Sequence, residues 1–259
     1  MLRIFMTERR EKGSSITRVL EIIEAVACAE RPLSPADLAV MLDIPKPSVH
    51  RLLQQLQASG YLQTNMRGLL LPDKRLHTIS LGVLYSNRYK TVRKTILQKL
   101  SADIGETCGI AIPDGIEMIY YDREQCNWPL QINLPVGTRT PVWCTASGKL
   151  YLSTLSESRC KKVIDNLSLE KFARNTLDTP EGLKGSISGI RDTEIGIDNE
   201  EFIDGMVACS VPVKDQYGKM IACLFTHAPV IRKSLDELVK YVPLMRSAAK
   251  SLGDFVTEQ

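Results

Sequence analysis

Apolar side chains recur every third or fourth residue from Ser15 to Ala29, at Ile16, Val19, Leu20, Ile22, Ile23 and Val26, a spacing that puts them on one face of a helix. A second, short helix is predicted from Pro35 to about Leu42. Ser34 can cap it, proline suits its first position, and Asp37 favours its positive end. Pro45 cannot continue that helix, and Pro47-Ser48 restarts a third, with Val49, Leu52, Leu53 and Leu56 as its buried stripe. Gly60 stops the third helix where a left-handed residue is wanted. Tyr61 to Thr64, the polar turn Asn65-Met66-Arg67-Gly68 and Leu69-Leu70-Leu71 then read as a β-hairpin. Helix, helix, turn, helix, hairpin is the order of a winged helix-turn-helix.

Lys74 to Ile104 is helical in pattern, with an interruption expected near Tyr89-Lys90, and reads as a linker helix followed by the first helix of a second domain. Its apolar residues Leu76, Ile79, Leu81, Val83 and Leu84 exceed what one surface stripe needs, so the segment up to Tyr85 can pack across a two-fold axis. Beyond it, Cys108 to Pro113, Ile116 to Asp122 and Leu130 to Leu134 are strand-like, and Ala146 to Leu155 and Glu157 to Asn166 are helical. Strands return at Val207 to Val213 and Met220 to Thr226, before a closing amphipathic helix from about Ser234 to Val256. The predicted class is α+β. Residues 1–73 form the winged helix-turn-helix, 74–90 the linker, and 91–259 the second domain.

The 259 residues, 44% of them apolar, exceed the usual size of one domain and fit two. Residues 1–90 carry 13 Lys and Arg against 8 Asp and Glu, and the remainder 20 against 22, so the basic excess sits where a polyanion would be met. No stretch has the roughly 20 apolar residues that span a bilayer, and the start, MLRIFMTERREKG, lacks the apolar core of a signal peptide, so a cytoplasmic protein without a membrane partner is expected. Seven dispersed cysteines with no C-x-x-C pair predict reduced thiols rather than disulfides or a zinc site, and no cofactor is expected.

On the third helix the buried stripe leaves Arg51 and Gln54 facing outward, with Ser48, His50 and Gln55 on the flanks. Arg can pair bidentately with guanine and Gln with adenine, while Lys46, Ser48 and the helix start suit phosphate oxygens, and Arg67 in the hairpin turn can reach a neighbouring groove. A merely solvated helix face has the same composition; the order of the surrounding elements favours DNA. The run Leu38 to Leu56, LAVMLDIPKPSVHRLLQQL, followed by Gly60-Tyr61-Leu62, resembles the DNA-binding segment of the IclR family of bacterial transcription regulators. Pro47 departs from it, standing where the family usually has Ser or Thr.

The resemblance extends through Gly137-Thr138-Arg139-Thr140-Pro141, Thr145-Ala146-Ser147-Gly148-Lys149, Ile190-Arg191, Asp198-Asn199-Glu200-Glu201 with Gly205, and Val211-Pro212-Val213 with Asp215 and Gly218. It implies a GAF-like α/β effector domain, dimers or tetramers on pseudo-palindromic operator DNA, and control of catabolic operons, more often by repression. Carried over by position, it also implies an effector pocket walled by Ala146, Ser147, Asp198, Ala208, Phe225 and His227. Family members that take small oxoacids tend to carry Cys and Ser at the last three positions, so this chain is expected to take a small organic acid with apolar bulk. Trp128 and Trp143 offer flat apolar surface for such a group, although a tryptophan in a strand-rich domain is more often core. His227, if protonated, can hold a carboxylate.

Enzymatic readings are weaker. Gly148-Lys149 is followed by Leu150 where a phosphate loop needs Ser or Thr, and Ile187 occupies the serine position in the Gly185 to Gly189 run. A Cys209/His227 pair would support thiol chemistry, and a stand-alone sensor acting through protein contacts is the other alternative. Neither accounts for the N-terminal motif.

Overall fold

The computed structural model describes residues 14–29, 31–84 and 87–257, leaving aside the side chains of His77, 81–84, 87–89 and 255–257. The chain divides into two compact units, Met1–Asn87 and Arg88–Gln259.

The first unit contains α1 (Ser15–Ala27), α2 (Pro35–Met41), α3 (Lys46–Ala58), the hairpin β1 (Leu62–Thr64) and β2 (Leu70–Pro72), and α4 (Lys74–Leu84). Ile22, Leu38, Val49, Leu52, Leu56, Leu62 and Leu70 form its core. At the start of α2, Ser34 Oγ accepts the Asp37 N–H (3.1 Å) and Asp37 Oδ2 accepts the Ser34 N–H (2.9 Å), satisfying two end groups reciprocally. At its end Asp43 turns left-handed (φ 50°), and the Ile44 N–H closes on Ala39 O at 3.1 Å. That conformation penalises a β-carbon. Asp43→Gly should therefore slow hydrogen exchange of the α2 and α3 amides by an amount equivalent to about 0.5–1 kcal/mol, the left-handed penalty less the entropy cost of glycine.

Beyond α3 the same device appears with glycine. Gly60 (φ 73°) donates to Gln57 O and Tyr61 to Leu56 O, at 3.0 and 2.9 Å. The first turn of α4 is fastened to this cap: the Arg75 N–H donates to Gly60 O (3.2 Å), and its guanidinium lies 4.7 Å from the centre of the Tyr61 ring. Of the linker residues expected to pack across a two-fold, Leu76 packs against the core of this unit and Ile79 is exposed, while the side chains of Leu81, Val83 and Leu84 lie outside those described.

In the second unit, α5 (Asn87–Ile104) leads into β3 (Thr107–Asp114), β4 (Glu117–Glu124), β5 (Arg139–Pro141), α6 (Ala146–Thr154), α7 (Glu157–Ile164) and α8 (Pro180–Thr193). Then come β6 (Gly196–Asn199), β7 (Met206–Lys214), β8 (Met220–Pro229), α9 (Leu235–Val239) and α10 (Val242–Thr257). The strands form one antiparallel sheet in the order β5-β4-β3-β8-β7-β6. Cys108, Ile110, Cys209, Val211 and Leu224 on one face bury against Leu97 and Leu100 of α5, Leu238 of α9 and Met245 of α10. Ala111, Tyr120, Cys223 and Phe225 on the other face bury against Leu150 of α6, Ile164 of α7 and Leu183 of α8. The fold class is α+β, with helices on both faces of the sheet.

Several elements differ from expectation. The segment 74–104 is two helices on either side of residues 85 and 86, which lie outside the described residues, so Tyr89-Lys90 falls inside α5 rather than at the interruption. Leu130 to Leu134 is no strand: it lies between Pro129 and Pro135 and is held by side chains, with Arg123 Nη1 donating to Leu134 O (2.5 Å) and Gln131 Nε2 to Cys126 O (2.7 Å). The closing helix is two, because Pro243 has no N–H and fits a helix's first turn rather than its interior. No helix among the described residues is long and apolar enough to cross a membrane.

Candidate functional site

Two surfaces carry candidate chemistry. On α3 the stripe Val49, Leu52, Leu53 and Leu56 is buried, which leaves Lys46, His50, Arg51, Gln54 and Gln55 exposed and Ser48 half-buried. In the hairpin, Asn65 Oδ1 accepts the N–H groups of Arg67 and Leu69 at 2.9 and 3.0 Å, which fixes the turn while the Arg67 side chain stays exposed. Among the described residues no carboxylate forms an ion pair with Lys46, Arg51 or Arg67. The basic face is available to an external polyanion.

The second surface is a cavity on the α6 side of the six-stranded sheet. Tyr120, Asp198, Ala208 and Phe225 wall it from four strands, Thr145, Ala146 and Ser147 from the start of α6, Phe202 from the β6–β7 connection and Met206 from the first position of β7. The centre of a water molecule can range over only about 10 Å³ inside it. As it stands the cavity holds about one water.

The polar atoms around it are poorly served. Among the described residues, four buried side-chain atoms have no hydrogen-bond partner: Arg123 Nη2, Asp198 Oδ2, Ser210 Oγ and His227 Nε2. All four belong to two adjacent rungs of one sheet face. Asp198, Ala208 and His227 are direct partners across β6, β7 and β8; Ser210, Phe225, Gly109 and Arg123 are partners across β7, β8, β3 and β4. Unpaired buried polar atoms cost about 1–3 kcal/mol each, so clustering them beside a cavity points to a ligand that pairs with them.

Burial pushes the Asp198 carboxyl up to about 7, against the Glu201 N–H that its Oδ1 accepts at 2.7 Å. The His227 imidazole is pushed down to about 4, first by burial and then by the charge of Arg123. This favours the neutral imidazole at pH 7, so the condition under which His227 would hold a carboxylate as a cation is disfavoured. The Arg123 guanidinium is likewise shifted down by burial.

One strut was not foreseen. Lys149 Nζ lies 2.5 Å from both oxygens of Glu201 in a pair that is almost wholly buried. Thr176 Oγ1 donates to Glu201 O at 2.6 Å, so α6 and the α7–α8 connection together fix the 199–205 loop over the cavity.

Of the residues expected in the pocket, the structure brings Ala146, Ser147, Asp198, Ala208 and Phe225 together on its wall. His227 stands behind Phe225, with ring centres 5.9 Å apart. Neither tryptophan is on the wall. Trp143 is buried in the neighbouring core, donating Nε1–H to Glu170 O at 3.2 Å, and Trp128 is half exposed with the Arg232 guanidinium 4.2 Å above its ring. Tyr120, Met206, Ser210 and Arg123 escaped the sequence reading because only strand register reveals which face they share, and Phe202 because its loop is placed by the long-range Lys149–Glu201 pair beside it. Cys209 and His227 do not meet: Cys209 faces α10 on the opposite side of the sheet, 3.5 Å from Met245 Sδ, and burial pushes its thiol up to about 12.

Two family models match the chain: the IclR helix-turn-helix domain over residues 15–65, and the bacterial transcriptional regulator IclR C-terminal domain over residues 82–253. The chain belongs to the IclR family. It is a DNA-binding transcription regulator, and the IclR family's two domains coincide with the two surfaces described above. A curated IclR-family relative, the probable transcriptional regulator SauR of Cupriavidus necator, is 32% identical over 93% of this chain and 96% of its own length. The transcriptional repressor IclR of Escherichia coli is 25% identical over 92% and 88%. Among solved structures, the inducer-binding domain of PobR from Acinetobacter, a double mutant in complex with 3-hydroxybenzoic acid, is 26% identical with a TM-score of 0.57, over 62% of this chain and 95% of that one.

Proposed function

We propose that this regulator is a cytoplasmic repressor of a catabolic operon, released from or tightened on its operator by a small organic acid with apolar bulk. The observation that carries the reading is the set of unpaired buried polar atoms beside a cavity otherwise walled by Tyr120, Phe202, Met206, Ala208 and Phe225. That the Escherichia coli relative is a repressor and that the PobR domain binds an aromatic acid support it. The cavity holds about one water as it stands, so the acid has to spread its walls, and binding is coupled to a change of shape.

In this reading residues 1–73 read DNA, 74–90 link, and 91–259 sense the acid. The protein acts as a dimer, or a pair of dimers, on a pseudo-palindromic operator. Arg51 and Gln54 read base edges, flanked by His50 and Gln55; Lys46, Ser48 and Arg67 bind the backbone or an adjacent groove. The test is a fluorescence-anisotropy titration against the upstream intergenic DNA and an unrelated duplex at two salt concentrations. Sequence-preferring, salt-sensitive binding is expected, and equal weak binding to both duplexes would count against it. In the same assay Arg51→Ala should cost about 1–3 kcal/mol at the operator and relax the preference at one base position. Unchanged affinity would remove Arg51 from the reading role.

A further inference from the structure

We infer that Arg123 is the anchor for the effector's carboxylate, reached when the Phe225 ring leaves its place over Gly109. The inference rests on the organic-acid reading above and adds the orientation of the ligand. Arg123 Nη1 is occupied by Asn133 Oδ1 (3.1 Å) and Leu134 O (2.5 Å), whereas Nη2 is buried without a partner, and no described carboxylate forms an ion pair with the guanidinium. A half-buried cation with one unused face is a preformed anion site.

The route to it runs past one side chain. Phe225 and Arg123 flank Gly109 on the same rung, and a β-carbon on Gly109 would come within 2.5 Å of Phe225 Cζ, so the tip of the ring occupies the space that Gly109 leaves open, on the way from the cavity to Arg123. The ring touches Tyr120 on one side (centres 4.4 Å apart) and stacks on His227 on the other. Swinging it away exposes Arg123 Nη2 and His227 Nε2 together. Neutral His227, with no partner at Nε2, can donate to the same carboxylate from that nitrogen.

The first turn of α6 also favours anions. There, however, Asp198 shares the wall with Ala146 and Ser147, so a carboxylate would meet a second acid. That end suits a hydroxyl donating to the unpaired Asp198 Oδ2. The inferred ligand is thus two-ended: carboxylate towards β4, apolar body over Ala208 and the space the Phe225 ring vacates, and, where present, hydroxyl towards β6.

The probes are benzoate, 4-hydroxybenzoate and hexanoate, each against its amide, added to the full chain bound to operator DNA and read by anisotropy and by thermal shift. At least one acid should act on the wild type while its amide does not. Arg123→Gln should lower the sensitivity to that acid about tenfold or more, the loss expected of a charged hydrogen bond, and Arg123→Lys should keep part of it. The acid-over-amide preference is a readout that a purely structural Arg123 would leave unchanged, and Arg123→Lys carries the test if Arg123→Gln does not fold. An Arg123→Gln protein that responds like the wild type overturns the anchor, leaves the organic-acid reading standing and points to the start of α6. Silence of the wild type towards all three acids at millimolar concentration overturns both, without touching the DNA-binding function.

Discussion

Replacing Lys149 with methionine should remove about 3–5 kcal/mol of stability from the effector domain at pH 7, because it leaves the Glu201 carboxylate buried without its counter-charge. In the native protein burial already raises the Glu201 carboxyl, and the attraction of Lys149 restrains it. Without that attraction the carboxyl rises further. A carboxyl that holds its proton more tightly folded than unfolded contributes stability fully at low pH, and that stability is lost as pH climbs through the folded value. The penalty should therefore be small below about pH 4, where the unfolded carboxyl is also protonated, and develop fully towards neutrality. Both tryptophans, Trp128 and Trp143, lie in the effector domain, so their fluorescence in urea titrations at pH 4 and pH 7 reports this transition alone. An equal loss at both pH values would show that Lys149 matters for packing rather than charge.

Gly196→Ala should be nearly as damaging, by about 3 kcal/mol, the upper end for overpacking. Glycine lets β6 touch α6: an added β-carbon would collide with Ala146 O and press on Ser210 Oγ and Leu150 Cβ. Two of these atoms are main-chain or Cβ atoms, so rotating a side chain gives no relief. The displacement would part Ala146 from Asp198, the two sides of the cavity. Urea titration followed by tryptophan fluorescence checks the stability, and an effector response lost beyond what the lower stability explains checks the site. A variant as stable as the wild type would mean that α6 slides on the sheet without cost.

What the sequence discloses follows the range of the interactions involved. The Ser34 cap, the Gly60 stop and the buried stripe of α3 are settled within a few residues, and all three are where their pattern places them. Gly196 to Asn199 carries no strand signal of its own; it becomes β6 by pairing with β7, and this brings Asp198 beside the cavity. Arg123 and Ser210 lie 87 residues apart on the same rung because two other strands come between theirs, which neither periodicity nor spacing discloses. The Lys149–Glu201 pair spans 52 residues. Trp128 invites an aromatic-pocket reading, yet it sits in a loop, where Arg232 rather than a ligand covers its ring.

The fastening of α4 to the end of α3 determines where motion can enter the reading head. Arg75 bonds to the carbonyl of Gly60 through its N–H and to Ser59 O through Nη1, and it rests on Tyr61, so a swivel between the two helices would break three contacts at once. A displacement of the start of α4 would therefore be passed to the end of α3 rather than absorbed in the turn. The two helices behave as crank and handle.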